Sequence, residues 1–228
     1  MKLWLTLIMC ACINCATQTD KNDNEKNTTL KQVQEIEKNE KTHKTNYTKI
    51  GDSIGLIVLK DNYCEKDTIK IYNEDGSLWY KFTYYYDDSD GKFDYPNDEF
   101  QPRGFKPDYF VLAMEVVIED KYGYQVFVNK KIDLKKRIKK ETFLQFLTWE
   151  EYVLKAFAVR FNNAKNPIHK TSEDESETII YKQDNFYHPV KVKDEWLQIK
   201  WGEENNWSYG WIKWREENRL LIEIYLFA

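Results

Sequence analysis

"DEWLQIKWGEENNWSYGWIKW", residues 194–214, holds five of the eight tryptophans in this 228-residue chain: Trp196, Trp201, Trp207, Trp211 and Trp214. Side chains alternate across a β-strand, so the stretch sorts into two faces. In "EWLQIKW", Leu197, Ile199 and Trp201 share one side, and Trp196, Gln198 and Lys200 share the other. In "GWIKW", Ile212 and Trp214 fall together, opposite Trp211 and Lys213. The apolar set reads as core. Trp196 and Trp211 then belong to an outer face, joined by Trp207 from the intervening loop and by Tyr187 from an adjoining segment. These four are the candidate ligand-binding residues. Aromatic faces beside polar groups suit sugar or peptide recognition, and they would equally suit a seam beneath a neighbouring domain.

Short apolar runs surround this stretch: "TIIYK", "FYHPVKV" and, at the end, "LLIEIYLF". Five short strands within roughly sixty residues are the pattern of a small antiparallel barrel. Pro167 and the polar "TSEDESE" mark its entry, which sets a C-terminal unit at residues 163–228.

Upstream, residues 49–162 alternate in the same way. "IGLIVLK", "DTIKIYN" and "LWYKFTYYY", with "EDGS" as a turn, predict a three-strand meander. "DYFVLAMEVVIED" and "YQVFVNKK" predict a hairpin turning at "DKYG", with Gly123 at the permissive position. Thr148 followed by Glu151 is a capping box ahead of one short helix bearing Val153, Leu154 and Phe157, and "FAVRFN" returns to the sheet. The fold class is therefore mainly β: an α+β unit with an antiparallel sheet and one short helix, then a small β-barrel.

Composition narrows the function. With 34 basic and 38 acidic residues and a net charge of -4, no general electrostatic drive toward nucleic acid exists. Sixteen Tyr, twelve Phe and eight Trp against eight Gly and five Pro favour packed strands over loops. Three of the four cysteines are Cys10, Cys12 and Cys15, so the body of the chain, with Cys64 alone, has no disulfide framework or cysteine-rich metal site.

"MKLWLTLIMCACINC" carries Lys2 and then an apolar run from Leu3 to Ala11. As a helix that run is about 14 Å long, against a hydrocarbon core of about 30 Å, so it is a signal segment and not a span. The pattern resembles the bacterial lipoprotein signal, in which a small residue precedes the acylated cysteine. Ala11 before Cys12, with Met9 three back, fits; Asn14 before Cys15 and Met9 before Cys10 fit less well. The resemblance implies a signal peptide at 1–11, acylation at Cys12, and a membrane-surface location in a bacterial envelope, because several acyl chains make a stable anchor. Residues 12–48, rich in Asn, Lys, Glu and Thr, follow as a disordered tether, with His43 solvated.

From residue 165 to 228 the order of motifs resembles the bacterial SH3-like domain: "NPIHKTSEDESE" as its proline strand and polar loop, "DEWLQIK" as its Trp strand, "GWIKW" as its Gly-Trp strand. The resemblance implies an SH3-like barrel with cell-wall peptide or glycan as its ligand class. The chain departs from it in "RLLIEIYLFA", longer and more apolar than the family needs, which predicts that the last strand also packs on the preceding unit. The papain-like peptidase that often accompanies such modules requires a nucleophilic cysteine with a histidine partner. Cys64 sits outside any helix start, and the histidines are His43, His169 and His188.

Three further clusters read as non-sites. The acidic loop at residues 86–99 matches part of a calcium loop at Asp88, Asp90 and Gly91. Tyr86 and Asn97 stand where its first and last carboxylates belong, so it reads as solvated. The basic run "NKKIDLKKRIKK", residues 129–140, reads as an edge strand and turn protected by lysine, with contact to anionic head groups or cell-wall polymers as the alternative. His169 and His188, with Asp174 and Asp184, lack a spacing that gathers zinc ligands. No metal, cofactor or catalytic residue is expected. The expected function is non-enzymatic: an anchored envelope protein whose SH3-like domain binds cell-wall peptide, glycan or an envelope protein. The alternatives are a protective protein that blocks a secreted toxin or hydrolase, and a degenerate cell-wall hydrolase.

Overall fold

Two antiparallel sheets dominate the protein, and the apolar periodicity of each strand decides which sides are covered. The computed structural model describes residues 47–64, 66–83, 97–106, 109–180 and 186–227. The expected signal peptide, Cys12, the tether up to residue 46, the acidic loop up to residue 96, and Asp184 lie outside the described residues.

The first sheet comprises β1 (Gly55–Leu59), β2 (Ile69–Tyr72), β3 (Leu78–Phe82), β4 (Gly104–Lys106), β5 (Val111–Asp120), β6 (Gly123–Asn129), β7 (Leu134–Lys139) and β8 (Leu144–Leu147). Their order is β3-β2-β7-β6-β5-β1-β8, with β4 beside β5. Helix α1 (Trp149–Leu154) and β9 (Ala158–Phe161) follow. The second sheet uses β10 (Ile168–His169), β11 (Thr178–Ile179), β12 (His188–Lys193), β13 (Trp196–Glu203) and β14 (Asn206–Lys213), in the order β11-β10-β14-β13-β12. A small hairpin of β15 (Arg215–Glu216) and β16 (Arg219–Leu220) leads to β17 (Ile222–Tyr225), which pairs with β9. Among the described residues the fold is mainly β with one short α-helix.

The hairpin at "DKYG" forms because Asp120 folds its own turn. Its Oδ1 accepts from the backbone N–H of Tyr122 (2.8 Å) and Gly123 (3.1 Å). A Cβ at residue 123 would sit 2.1 Å from the carbonyl oxygen of Ile138, so only glycine lets β7 approach. The capping box closes α1: Thr148 Oγ1 accepts from Glu151 N (3.2 Å) and Glu151 Oε2 accepts from Thr148 N (2.8 Å).

Two expectations change. The meander loses its first strand: β2 and β3 form a hairpin, whereas β1 lies between β5 and β8. The cause is that β1 is apolar on both faces, with Leu56 and Val58 on one side and Ile57 on the other, and so suits a central position. The basic run is not a sheet edge either, because β7 pairs with β6 on one side and β2 on the other. Its charges settle over rings and carboxylates. Lys135 covers Phe127 (4.7 Å), Lys136 covers Trp79 (5.0 Å), Lys139 covers Tyr72 (4.7 Å), and Arg137 pairs with Asp120.

One face of the first sheet buries Ile57, Ile71, Met114, Val126 and Ile138 beneath Phe82 and Phe100. The opposite face, with Leu56, Val58, Ala113 and Leu147, meets Trp149, Tyr152 and Val153 of α1 and the inner face of the second sheet. These residues form a continuous core that crosses the expected boundary at 162/163, and residues Tyr47–Ala228 make one compact unit. The second sheet is an open series of pairings, extended by the Val159–Tyr187 bridge to the β9–β17 ribbon. Among the described residues no pairing joins β11 back to β12.

Candidate functional site

The β13–β14 hairpin carries the tryptophan stretch. Its two strands pair residue for residue from Trp196↔Lys213 to Glu203↔Asn206, leaving a two-residue turn with Asn205 at φ 79°. Asparagine tolerates that left-handed conformation, so "GEENN" contributes strand residues and not a long loop. Trp207 therefore belongs to β14 and not to an intervening loop.

Pairing sets two faces. Leu197, Ile199, Trp201, Ile212 and Trp214 point into the core. The outer face carries Trp196, Gln198 and Lys200 from β13 with Trp207, Tyr209, Trp211 and Lys213 from β14. Lys191 and Lys193 join from β12, opposite Gln198 and Trp196, and His169 joins from β10, opposite Trp211. β10 lies tightly against β14 because residue 210 has no side chain: a Cβ there would be 2.2 Å from Ile168 Cγ2. Asn166 fixes the same approach by using its amide as a piece of backbone, donating to the Lys213 carbonyl (2.6 Å) and accepting from Lys213 N (3.1 Å).

The four predicted residues separate. Trp196 is on the outer face but only 8 % exposed, because the His169 ring meets it edge-on at 5.0 Å and Lys213 Nζ lies 5.4 Å from its centre. It is a base for neighbours and offers no open ring. Tyr187 leaves the outer face altogether. It packs on Phe161 (4.9 Å) and Trp201 (5.7 Å), while its carbonyl accepts from Val159 N (2.8 Å). Trp207 and Trp211 are half-buried and stay on the surface. Lys200 Nζ is 4.4 Å from the Trp207 ring and Lys191 Nζ is 5.8 Å from the Trp211 ring.

Sequence reasoning missed Tyr209, half exposed opposite Lys200, and the lysines themselves. The signal was available: carried back to Asn206, the alternation puts Trp207, Tyr209, Trp211 and Lys213 on one side. The register puts Lys191, Lys193, Lys200 and Lys213 on this face, and no Asp or Glu from β12, β13 or β14. Lys213 pairs with Asp174 (2.6 Å), in the loop before β11, and Lys193 donates to Ser172 Oγ (2.9 Å). Lys191 and Lys200 have no carboxylate partner among the described residues. The surface combines aromatic faces with lysine ammonium groups, chemistry suited to holding a ligand.

Other clusters are occupied by their own pairs. Beside Lys213 a cleft of about 860 Å³ opens between the β9–β17 ribbon and the β15–β16 hairpin. It is lined by the ion pairs Arg160–Glu223 (2.6 Å) and Arg219–Glu216 (2.5 Å). The Tyr225 hydroxyl, then Arg160, hold the Glu223 carboxyl below the ordinary value. Under the first sheet, Glu115, 3 % exposed, accepts from Arg103 (3.1 Å) and Lys130, and Arg103 lies 4.9 Å from the Trp149 ring. Burial raises the pKa of the neighbouring Tyr152. This network pins α1 to the sheet. His169 Nδ1 is 3.2 Å from the Ser176 carbonyl and His188 Nδ1 is 2.6 Å from that of Phe157. Cys64 lies exposed in the turn after β1, its N–H bonded to Asp67. Among the described residues no three His, Cys, Asp or Glu side chains converge as metal ligands, and no helix is long and apolar enough to cross a membrane.

Comparison with protein-family models, with curated proteins and with solved structures returned no match for this chain.

Proposed function

We propose that this chain is a lipid-anchored bacterial envelope protein, held at a membrane surface through acyl groups on Cys12, and that the outer face of its second sheet binds envelope material. The ligand classes are cell-wall glycan, peptide or an envelope protein. The module is read as SH3-like, a reading supported by the direct pairing of its Trp strand with its Gly-Trp strand. One observation carries the binding role. The core draws on the inner face of β13 and β14, yet the outer face keeps Trp207, Tyr209 and Trp211 at the surface amid lysines. Rings in that position contribute little to folding and much to recognition.

The test is a pull-down of the full chain with purified sacculi, comparing wild type with a Trp207→Ala, Trp211→Ala double variant. Retention of wild type alone is the expected result. Equal retention of both would remove this face from the proposal. A second reading is favoured by the mix of Trp, Tyr and Lys on one sheet face, which also suits a protein hot spot: a protective protein that blocks a secreted toxin or hydrolase. Its mark would be a tight protein complex with no retention on sacculi. Muropeptide release that stops on Cys64→Ser would instead favour a degenerate hydrolase. Mass spectrometry of the mature N-terminus checks the anchor, and an unmodified residue there would defeat it.

A further inference from the structure

Resting on that binding role, we infer that the outer face of the second sheet is selective for an acidic saccharide, a sugar chain bearing carboxylates, and that Asp174 holds part of the site in reserve. Charge is segregated here. The chain as a whole is acidic, at -4, whereas β12, β13 and β14 present four lysines and no carboxylate on this face. A neutral glycan would need rings and hydrogen bonds alone, and a purely ionic ligand would need no rings. This surface supplies both, interleaved: Lys200 over Trp207, Lys191 over Trp211, and Tyr209 opposite Lys200. The C–H faces of a sugar stack on indole, and a carboxylate on the same sugar meets the neighbouring ammonium.

Lys191 and Lys200, which have no carboxylate partner among the described residues, can make that exchange. At an exposed site a cation–π contact and an ion pair are of similar strength, so a head group can leave its ring for an incoming carboxylate at little net cost and bare the ring as it goes. Lys213 is the exception, because Asp174 already bonds it at 2.6 Å. Asp174 is largely exposed and, among the described residues, pairs with Lys213 alone, so it stands where a ligand carboxylate would stand. It is an internal mimic of the ligand.

The prediction therefore has two signs. Titrating the full chain in detergent with oligogalacturonate, and with a neutral glucan oligomer of equal length, should show binding to the acidic probe that weakens with salt. The Lys191→Gln, Lys200→Gln pair and the Trp207→Ala, Trp211→Ala pair should each weaken it about tenfold. Asp174→Asn should tighten it roughly two- to fivefold, a gain that a merely structural role for Asp174 would not produce. Unchanged denaturation midpoints confirm that each variant folds. Equal affinity for the neutral oligomer, or weaker binding by Asp174→Asn, overturns the inference. So does equal binding of inorganic polyphosphate that ignores the tryptophan pair, which would mark an ionic surface only. Sacculus retention without affinity for any soluble probe overturns it too, but leaves the envelope-binding role standing. Loss of sacculus retention by wild type removes that role itself.

Discussion

The two faces of the β13–β14 hairpin come from the same pair of eight-residue strands, yet they do opposite work. The inner face is Leu197, Ile199, Trp201, Ile212 and Trp214, all buried against α1 and the first sheet. The outer face is Trp, Tyr, Gln and Lys, with its ring faces partly in water. Tryptophan occurs on both, so residue type does not tell the two apart; register does. Strand alternation lets one hairpin anchor the core with one set of residues and vary its surface with the other.

The sharpest way to break this comparison is Trp214→Ala. The ring is fully buried and its Nε1 donates to the Asp194 carbonyl (3.0 Å). Truncation should cost about 3–5 kcal/mol, read as a lowered urea midpoint. A loss below about 1 kcal/mol would mean the inner face is not the anchor. Next in size is Gly210→Ala, where the added methyl collides with Ile168 between β10 and β14; about 1–3 kcal/mol is expected. Asn166→Ala strips both bonds from the Lys213 backbone and should cost a comparable, slightly smaller amount, about 1–2 kcal/mol. If Asn166→Ala proved neutral in denaturation, the amide would not be what holds β10 in place.

The same contrast explains what the sequence disclosed. Strong alternation made the core half of the hairpin legible: Leu197, Ile199, Trp201, Ile212 and Trp214 follow from period two alone. The capping box at Thr148 and the turn at Gly123 were legible because each is a local arrangement within a few residues. Exposure was not. Trp196 is covered by His169 and Lys213, and both arrive through pairing with β10 and β14 over distances no local pattern encodes. Tyr187 turned to the core because the chain bridges to β9 at Val159, another long-range pairing. The central place of β1 and the interior place of β7 were hidden for the same reason. Local periodicity gives the face of a strand and leaves its neighbours open.

On the outer face, Trp211→Ala should cost about 1 kcal/mol, since part of the ring already faces water. Measured beside Trp214→Ala, it turns the comparison into a ratio: two tryptophans three residues apart, several-fold different in their effect on stability. Similar losses for both would place Trp211 among the core residues and remove it from the site.

The smallest expected effect contrasts the outer face, whose own strands bring no carboxylate, with the first sheet, where Arg137 bonds Asp120 and holds its carboxyl below the ordinary value. A carboxyl whose folded pKa is depressed stabilises the fold above its unfolded value, about 3.9, and that stability drains away as pH falls through the folded value. Below about pH 4 the wild-type urea midpoint should therefore decline. Asp120→Asn, which keeps an oxygen to accept from Tyr122 and Gly123, should decline less steeply. The pair is partly exposed, with side chains at 24 % and 35 %, so solvent screening limits the difference to roughly 0.5 kcal/mol. Lys200→Gln on the outer face should leave the acid limb unchanged, because no carboxylate among the described residues depends on Lys200. An acid limb that flattened in Lys200→Gln and not in Asp120→Asn would reverse the assignment: the charges of the second sheet, and not those of the first, would then be holding the fold.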